Sequence, residues 1–231
     1  MYYIINFYYV IEQRLVLFGT DLCFIYLKNP TSILYSFREY DKIEEREMEV
    51  CRMIHVDETA LVIVDVQGKL AKIMHQSKEM LTNLERMIQG ANVLDIPIIW
   101  LEQYPKGLGP TSDEVKQHLT NLSPIAKMTF SACNNDEFKE ALEQLNCQSI
   151  LLTGIESHIC VYQTARDLLK EDYYVETVVD CISSRTLANK EIGLEKMKQL
   201  GAYATSVEMA LFDLMGSAEH PNFKEISKII K

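Results

Sequence analysis

Short apolar runs that close on a polar or charged residue, each followed by helical spacing, most limit the folds open to this chain. Ala60-Leu-Val-Ile-Val-Asp65 is continuous, rich in β-branched residues and ends in an acid, the pattern of a strand buried on both faces. Ile96-Pro-Ile-Ile-Trp-Leu101 repeats it, with Pro97 near the start, where a missing N–H is tolerated. Further strands are expected over 125–128, 150–153, 174–180 and 202–206. Between them the period changes. Met80, Leu84, Met87, Ile88, Ala91 and Leu94 mark one face of a long helix, as do Phe138, Ala141, Leu142 and Leu145 behind a cap at Asn134 or Asn135. Helices are also expected over 187–200, stopped by Gly201, and over 207–215 and 223–230. Residues 105–110 read as a loop, and Ser112 or Asp113 as the cap of a short helix. Strand alternating with helix at this rhythm means right-handed βαβ units and a parallel, doubly wound sheet with helices on both faces.

Ligands of such sheets sit beyond the carboxyl ends of the strands, near a switch in strand order. That rule selects residues without regard to their chemistry. Asp65 ends the first strand, Glu102 and Gln103 follow the second, Lys127 falls at the third, and Glu156 to Cys160 follow the fourth. An acid, an amine and a thiol are thereby sent to one edge. The run Ile150-Leu-Leu-Thr-Gly-Ile-Glu-Ser-His-Ile-Cys160 reads as strand, sharp turn at Gly154, then helix, with Cys160 in the first helical turn. Unpaired N–H groups and the helix dipole there favour a thiolate and should lower the thiol pKa. The alternative is that Cys160 is one more small buried hydrophobe. A carboxylate near a thiol can accept its proton, while an ammonium steadies the anions that result.

The 231 residues suffice for a substantial core, and the formal net charge of −10 with no Lys/Arg cluster disfavours nucleic acid or an anionic membrane as partner. The six cysteines (Cys23, Cys51, Cys133, Cys147, Cys160, Cys181) show neither paired nor regular spacing. A disulfide framework and a zinc site are both unsupported, so a reducing, intracellular and most simply cytoplasmic location is expected, with a mitochondrial one left open. Residues 1–52 differ in texture: they hold seven of the twelve tyrosines with no helical or strand period. Their two apolar runs fall short of a signal peptide or a membrane span. We read them as an extension outside the fold, most simply a start codon assigned upstream of a protein that begins near Met53; a membrane-tethering arm is the lesser alternative. Residues 53–231 then form one domain.

Three stretches of this domain resemble the signatures of the isochorismatase-like cysteine hydrolases. They are Ile63-Val-Asp65-Val-Gln67, Lys127 before Phe130-Ser131, and Thr153-Gly-Ile-Glu-Ser-His-Ile-Cys160-Val. The likeness runs from about His55 to the C terminus and is nearest to uncharacterised isochorismatase-domain proteins. It implies a three-layer α/β/α fold with a six-stranded parallel, Rossmann-like sheet. It also implies Cys160 as nucleophile, Asp65 as general base and then acid, and Lys127 as positioning cation. The N–H groups of Glu156 and Cys160 would form the oxyanion hole beside a cis Ile155–Glu156 bond, and Gln67, Gln103, Tyr104 and Phe130 would wall the substrate pocket. The implied reaction is hydrolysis of a C–N bond in a small molecule through a Cys thioester, in a homo-oligomer. Nicotinamidases of this superfamily place an Asp and several His after the second strand. This chain reads Leu101-Glu-Gln-Tyr-Pro-Lys-Gly there, without histidine, so neither a catalytic metal nor another cofactor is expected. His158 is expected to pack or support rather than act as base. Vinyl-ether hydrolysis of the isochorismate type and a non-catalytic binding or scaffold role are the competing readings.

Overall fold

The computed structural model describes residues 54–231, which form one compact unit; the reading of residues 1–52 as an extension lies outside them. Six strands, β1 (Thr59–Val64), β2 (Ile98–Gln103), β3 (Ile125–Lys127), β4 (Ser149–Ile155), β5 (Tyr174–Ser183) and β6 (Tyr203–Thr205), make one sheet in the order β3-β2-β1-β4-β5-β6. Every pairing is parallel. Every residue of β1 and β4 is buried, which is why these stretches carry continuous apolar sequence rather than alternation.

Successive residues of the central strands feed two separate cores. Leu61, Ile63, Leu151 and Ile155 face one layer; Ala60, Val62, Val64, Ile150 and Leu152 face the other. The first layer is closed by α2 (Ser77–Val93), which buries Met80, Leu84, Met87, Ile88 and Ala91, together with α8 (Val207–Met215) and α9 (Phe223–Ile230). The second is closed by α5 (Asp136–Leu145), α6 (Tyr162–Lys170) and α7 (Leu187–Gln199). Short helices α1 (Gly68–Lys72), α3 (Pro105–Leu108) and α4 (Asp113–Lys116) lie in the connections after β1 and β2. The expected cap at Asn135 is formed, its side chain accepting from Phe138 N–H. No helix of the described residues is long and apolar enough to cross a membrane.

Three local expectations are corrected. The segment 105–110 contains the one-turn helix α3, seeded by Pro105 at its first position, where a missing N–H costs nothing. Gly154 does not break β4. The strand runs through it at φ 113°, and a Cβ there would lie 2.1 Å from the carbonyl oxygen of Val64. Glycine is needed for this close approach of β4 to β1, so what reads as a turn signal is a packing requirement. β5 continues past Asp180 to Ser183 after a shift of register against β4. The shift leaves the Asp180 carboxylate accepting from Val207 N–H at 3.1 Å, at the start of α8.

Candidate active site

Since successive strands are added outward to one side from β1 to β3 and to the other side from β4 to β6, all of them parallel, the strand order reverses between β1 and β4. The carboxyl ends of those two strands flank the crevice where such folds bind ligands. Asp65 is the first residue after β1, in a left-handed conformation (φ 55°) that turns it out of the strand. Lys127 ends β3, two strands away. Its ammonium reaches back over β2 to Asp65 Oδ2 at 2.7 Å. Neither group is solvated: Asp65 is 2% exposed and the Lys127 side chain not at all. The ammonium also donates to Gln103 Oε1 at 2.7 Å and meets the carbonyls of Phe130 and Thr129 at 3.2 and 3.3 Å.

Cys160 comes to the same carboxylate from the far side of the switch point. After β4 the chain forms a wide π-helical turn, Ser157–Val161, before tightening into α6; such turns recur at functional sites. The peptide bond Ile155–Glu156 is cis. Cys160 is buried, with 7% of its surface exposed. Its thiol and the Asp65 carboxylate lie within hydrogen-bonding influence of each other, though not in a geometry that satisfies Asp65 Oδ1, which is buried with no formed bond. An orphaned buried acceptor ordinarily costs about 1–3 kcal/mol and calls for an explanation. Here that acceptor lies on the carboxylate beside the Cys160 thiol.

The protonation states differ from the expectation of a thiol acidified by its helix end. Burial, first, and the neighbouring Asp65 charge push the Cys160 pKa up to about 12, and Lys127 recovers only part of this. Asp65 is itself raised: burial outweighs the attraction of Lys127 and the hydrogen bonds from Lys127 and Cys160. The dipole of one turn is a small effect beside desolvation and an adjacent carboxylate. The thiol is therefore neutral at rest, and Asp65 beside it has an enhanced affinity for a proton.

The remaining site residues divide. Glu156 N–H donates to no backbone carbonyl of the described residues, while its carbonyl accepts from Ile159 and Val161. Its carboxylate accepts from Arg185 N–H and Nε, both at 3.1 Å. Tyr104 (46% exposed) and Phe130 (55% exposed) stand on the connections next to Lys127, as expected of a pocket rim. Gln67 does not. It is wholly buried, its Oε1 accepting from Gln103 N–H at 2.7 Å and its Nε2 donating to the carbonyls of Gly109 and Gln103 at 2.6 and 3.0 Å. Gln103, half-buried, directs its amide at Lys127 and the Met128 carbonyl. Gln67, expected as a pocket wall, is corrected to an internal support, because a glutamine at a strand end can reach the backbone polar groups that the end of a sheet leaves unpaired.

Glu102, which holds the place where nicotinamidases carry metal ligands, directs its carboxylate to Thr111 N–H and Oγ at 2.7 and 2.8 Å. Among the described residues no group of three His, Cys, Asp or Glu side chains has metal-site spacing. His158 Nδ1 lies 3.0 Å from Ser184 Oγ, a supporting contact. Cys133 is buried against Thr164 in the second core. One support carried no warning in its local sequence. Ser157 Oγ donates to the Lys190 carbonyl of α7 at 2.9 Å, and Gly193 lets that helix approach the Cys160 turn. A lone glycine inside a helical pattern was the available signal.

Comparison with known proteins agrees with this architecture. Isochorismatase domain-containing protein 2 of Xenopus laevis is 39% identical over 173 residues, 74% of this chain and 83% of that protein. The structure of MAR1 ribonuclease from Caenorhabditis elegans is 38% identical with a TM-score of 0.73, covering 78% of this chain and 92% of that one. The YcaC gene product of Escherichia coli, an octameric hydrolase of unknown specificity, shares the fold at 18% identity, with a TM-score of 0.69 and coverage of 76% and 95%. The isochorismatase domain model matches residues 59–209, from the first residue of β1 into α8. With all six strands, Asp65, Lys127 and Cys160 inside the matched region, the chain belongs to the isochorismatase domain family.

Proposed function

We propose that residues 53–231 are a cysteine hydrolase that cleaves a C–N bond of a small amide without a metal. Family membership supports a hydrolase-type activity. The reading of acyl transfer is carried by one observation: Asp65 is shared by the Lys127 ammonium at 2.7 Å and the Cys160 thiol, at the switch point of the sheet. As the carbonyl carbon of a substrate meets Sγ, the thiol proton passes to Asp65 and the carbon–sulfur bond forms. The carbonyl oxygen takes up the negative charge, opposite the N–H groups of Glu156 and Cys160. Donors so placed are typically worth about 2.7–4 kcal/mol each to a barrier. Collapse breaks the C–N bond, and Asp65 returns its proton to the leaving amine. Water, deprotonated by Asp65, then hydrolyses the thioester and the thiol is restored.

Lys127 keeps Asp65 anionic between steps and offsets part of the charge that develops on sulfur. Tyr104 and Phe130 face the substrate at the rim. A homo-oligomer, as described for the YcaC product, is the assembly we infer. Vinyl-ether cleavage needs the acid and the amine but gives the thiol no part, so the thiol held against Asp65 favours the amide reading over it, and over an inert scaffold. The nuclease activity named for the nematode protein gains no support from a chain of net charge −10.

Small amides and carbamoyl compounds should be screened against wild type and Cys160→Ala, with acid-quenched wild type examined by mass spectrometry. An acyl adduct on the Cys160 peptide and loss of turnover in the variant are expected. Undiminished turnover by Cys160→Ala sinks the reading.

A further inference from the structure

Gln67 and Gln103 are absorbed by no step of the reaction, yet they are the most completely engaged neutral side chains around it. Gln67 treats Gln103 as a neighbouring strand would, accepting from its N–H and donating to its carbonyl. The backbone from which the Gln103 side chain projects is thereby fixed. The amide at its end has one allowed orientation. Nε2 donates to the Met128 carbonyl at 2.9 Å, so Oε1 faces the Lys127 ammonium; a flip would set N–H groups against a cation. Of the four acceptors around Nζ, Asp65 and Gln103 are the two at 2.7 Å, and they hold the ammonium between them.

The charges facing the thiol come from every strand end around it. Asp65 follows β1, Lys127 ends β3, Glu156 follows β4 and is paired with Arg185, and Glu102 on β2 acts on Asp65 while its carboxylate holds Thr111. His158, on the same turn as Cys160, is engaged with Ser184. Lys127 is the buried cation among them, so where its charge sits decides how much of it the sulfur feels. An acceptor of the same shape as Gln103 but carrying a negative charge would cancel that help.

We propose that Gln103 is a positioning residue for the hydrolase reaction, acting through Lys127: clamped by Gln67, its neutral amide oxygen fixes the ammonium beside Asp65 and Cys160 without neutralising it. The inference rests on the hydrolase reading, and its test uses no substrate. In the full-length protein, alkylation of Cys160 by iodoacetamide is followed by peptide mass spectrometry from about pH 7 to about pH 11, a rate that tracks the thiolate fraction. Gln103→Glu should move the profile upward by about one pH unit, an approximately tenfold slower reaction at a fixed pH on its rising limb. Gln103→Leu, which keeps the bulk but offers no acceptor, should move it the same way by less, because the ammonium is then free to wander. If Gln103→Glu does not fold, the leucine variant alone carries the test.

A glutamine that merely braced the loop would cost thermal stability on replacement by leucine and leave the profile on that of wild type; that result overturns the proposal. Its failure is separable from failure of the hydrolase reading, which is judged by turnover in Cys160→Ala.

Discussion

Lys127 presents no side-chain surface to water, and its charge is matched by Asp65 inside the protein. Removing one member of such a pair leaves the other as an unsolvated ion, which typically costs about 3–5 kcal/mol, whereas replacing both by neutral groups costs far less. Lys127→Met should therefore destabilise the protein by about that amount in urea denaturation, and Asp65→Asn combined with Lys127→Met should regain most of it. Equal losses in the single and double variants would show that the pair is not coupled. Placement at this scale was legible: an Asp just after β1, a strand-ending Lys and a post-strand Cys meet beside the switch point of the sheet. Ionisation was not legible. The expected fall in the Cys160 pKa assumed an exposed helix end, while burial and Asp65, a residue 95 positions earlier, push it upward. The same holds for Gln67, whose partners Gln103 and Gly109 are defined only once the strands are in register.

Helix α7 has little amphipathic character of its own, with Leu187 and Ile192 turned outward, yet it holds the Cys160 turn from behind. A Cβ on Gly193 would lie 2.3 Å from Ser157 Oγ, 2.6 Å from Ser157 C and 2.7 Å from His158 N. Two of those atoms are backbone, so the turn itself must move. Gly193→Ala favours helix intrinsically, by about 1 kcal/mol, but overpacking at a rigid contact costs about 1–3 kcal/mol. The expected outcome is a net loss of stability together with a larger loss of turnover, since a displacement of about an ångström at the proposed nucleophile is severe. Stability and turnover equal to wild type would show that the turn yields freely. The six strands and the long helices were readable from period and punctuation; the short helices α1 and α3, after β1 and β2, were not. What escaped reading was contact between elements: Gly154 passes for a turn and Gly193 for a weak helix residue, although both mark close approach of another backbone.

Across the whole domain, Cys133, Cys147, Cys160 and Cys181 share one electrostatic condition: each is buried, and burial, the largest cause, raises each above the ordinary thiol value of 9.0. A group whose folded pKa exceeds its unfolded value holds its proton more firmly in the native state. The stability it contributes is complete below the unfolded pKa and is lost as pH rises through the folded one. The window thus opens near pH 9 and, for Cys133 and Cys160, extends to about 12. Cys133 is the better probe, because the ionisation of Cys160 is tied to Asp65 and Lys127. Within the window the unfolded chain alone ionises at residue 133, which costs the native state about 1.4 kcal/mol per pH unit. Cys133→Ala removes that dependence while adding a fixed penalty for the missing sulfur. Wild type should therefore be the more stable protein at about pH 8, with its advantage shrinking by about 1.4 kcal/mol for each unit above pH 9 in urea denaturation. Parallel stability curves for the two proteins would mean that the thiol meets solvent in the native state, and the closed second core described for this fold would then be wrong at that residue.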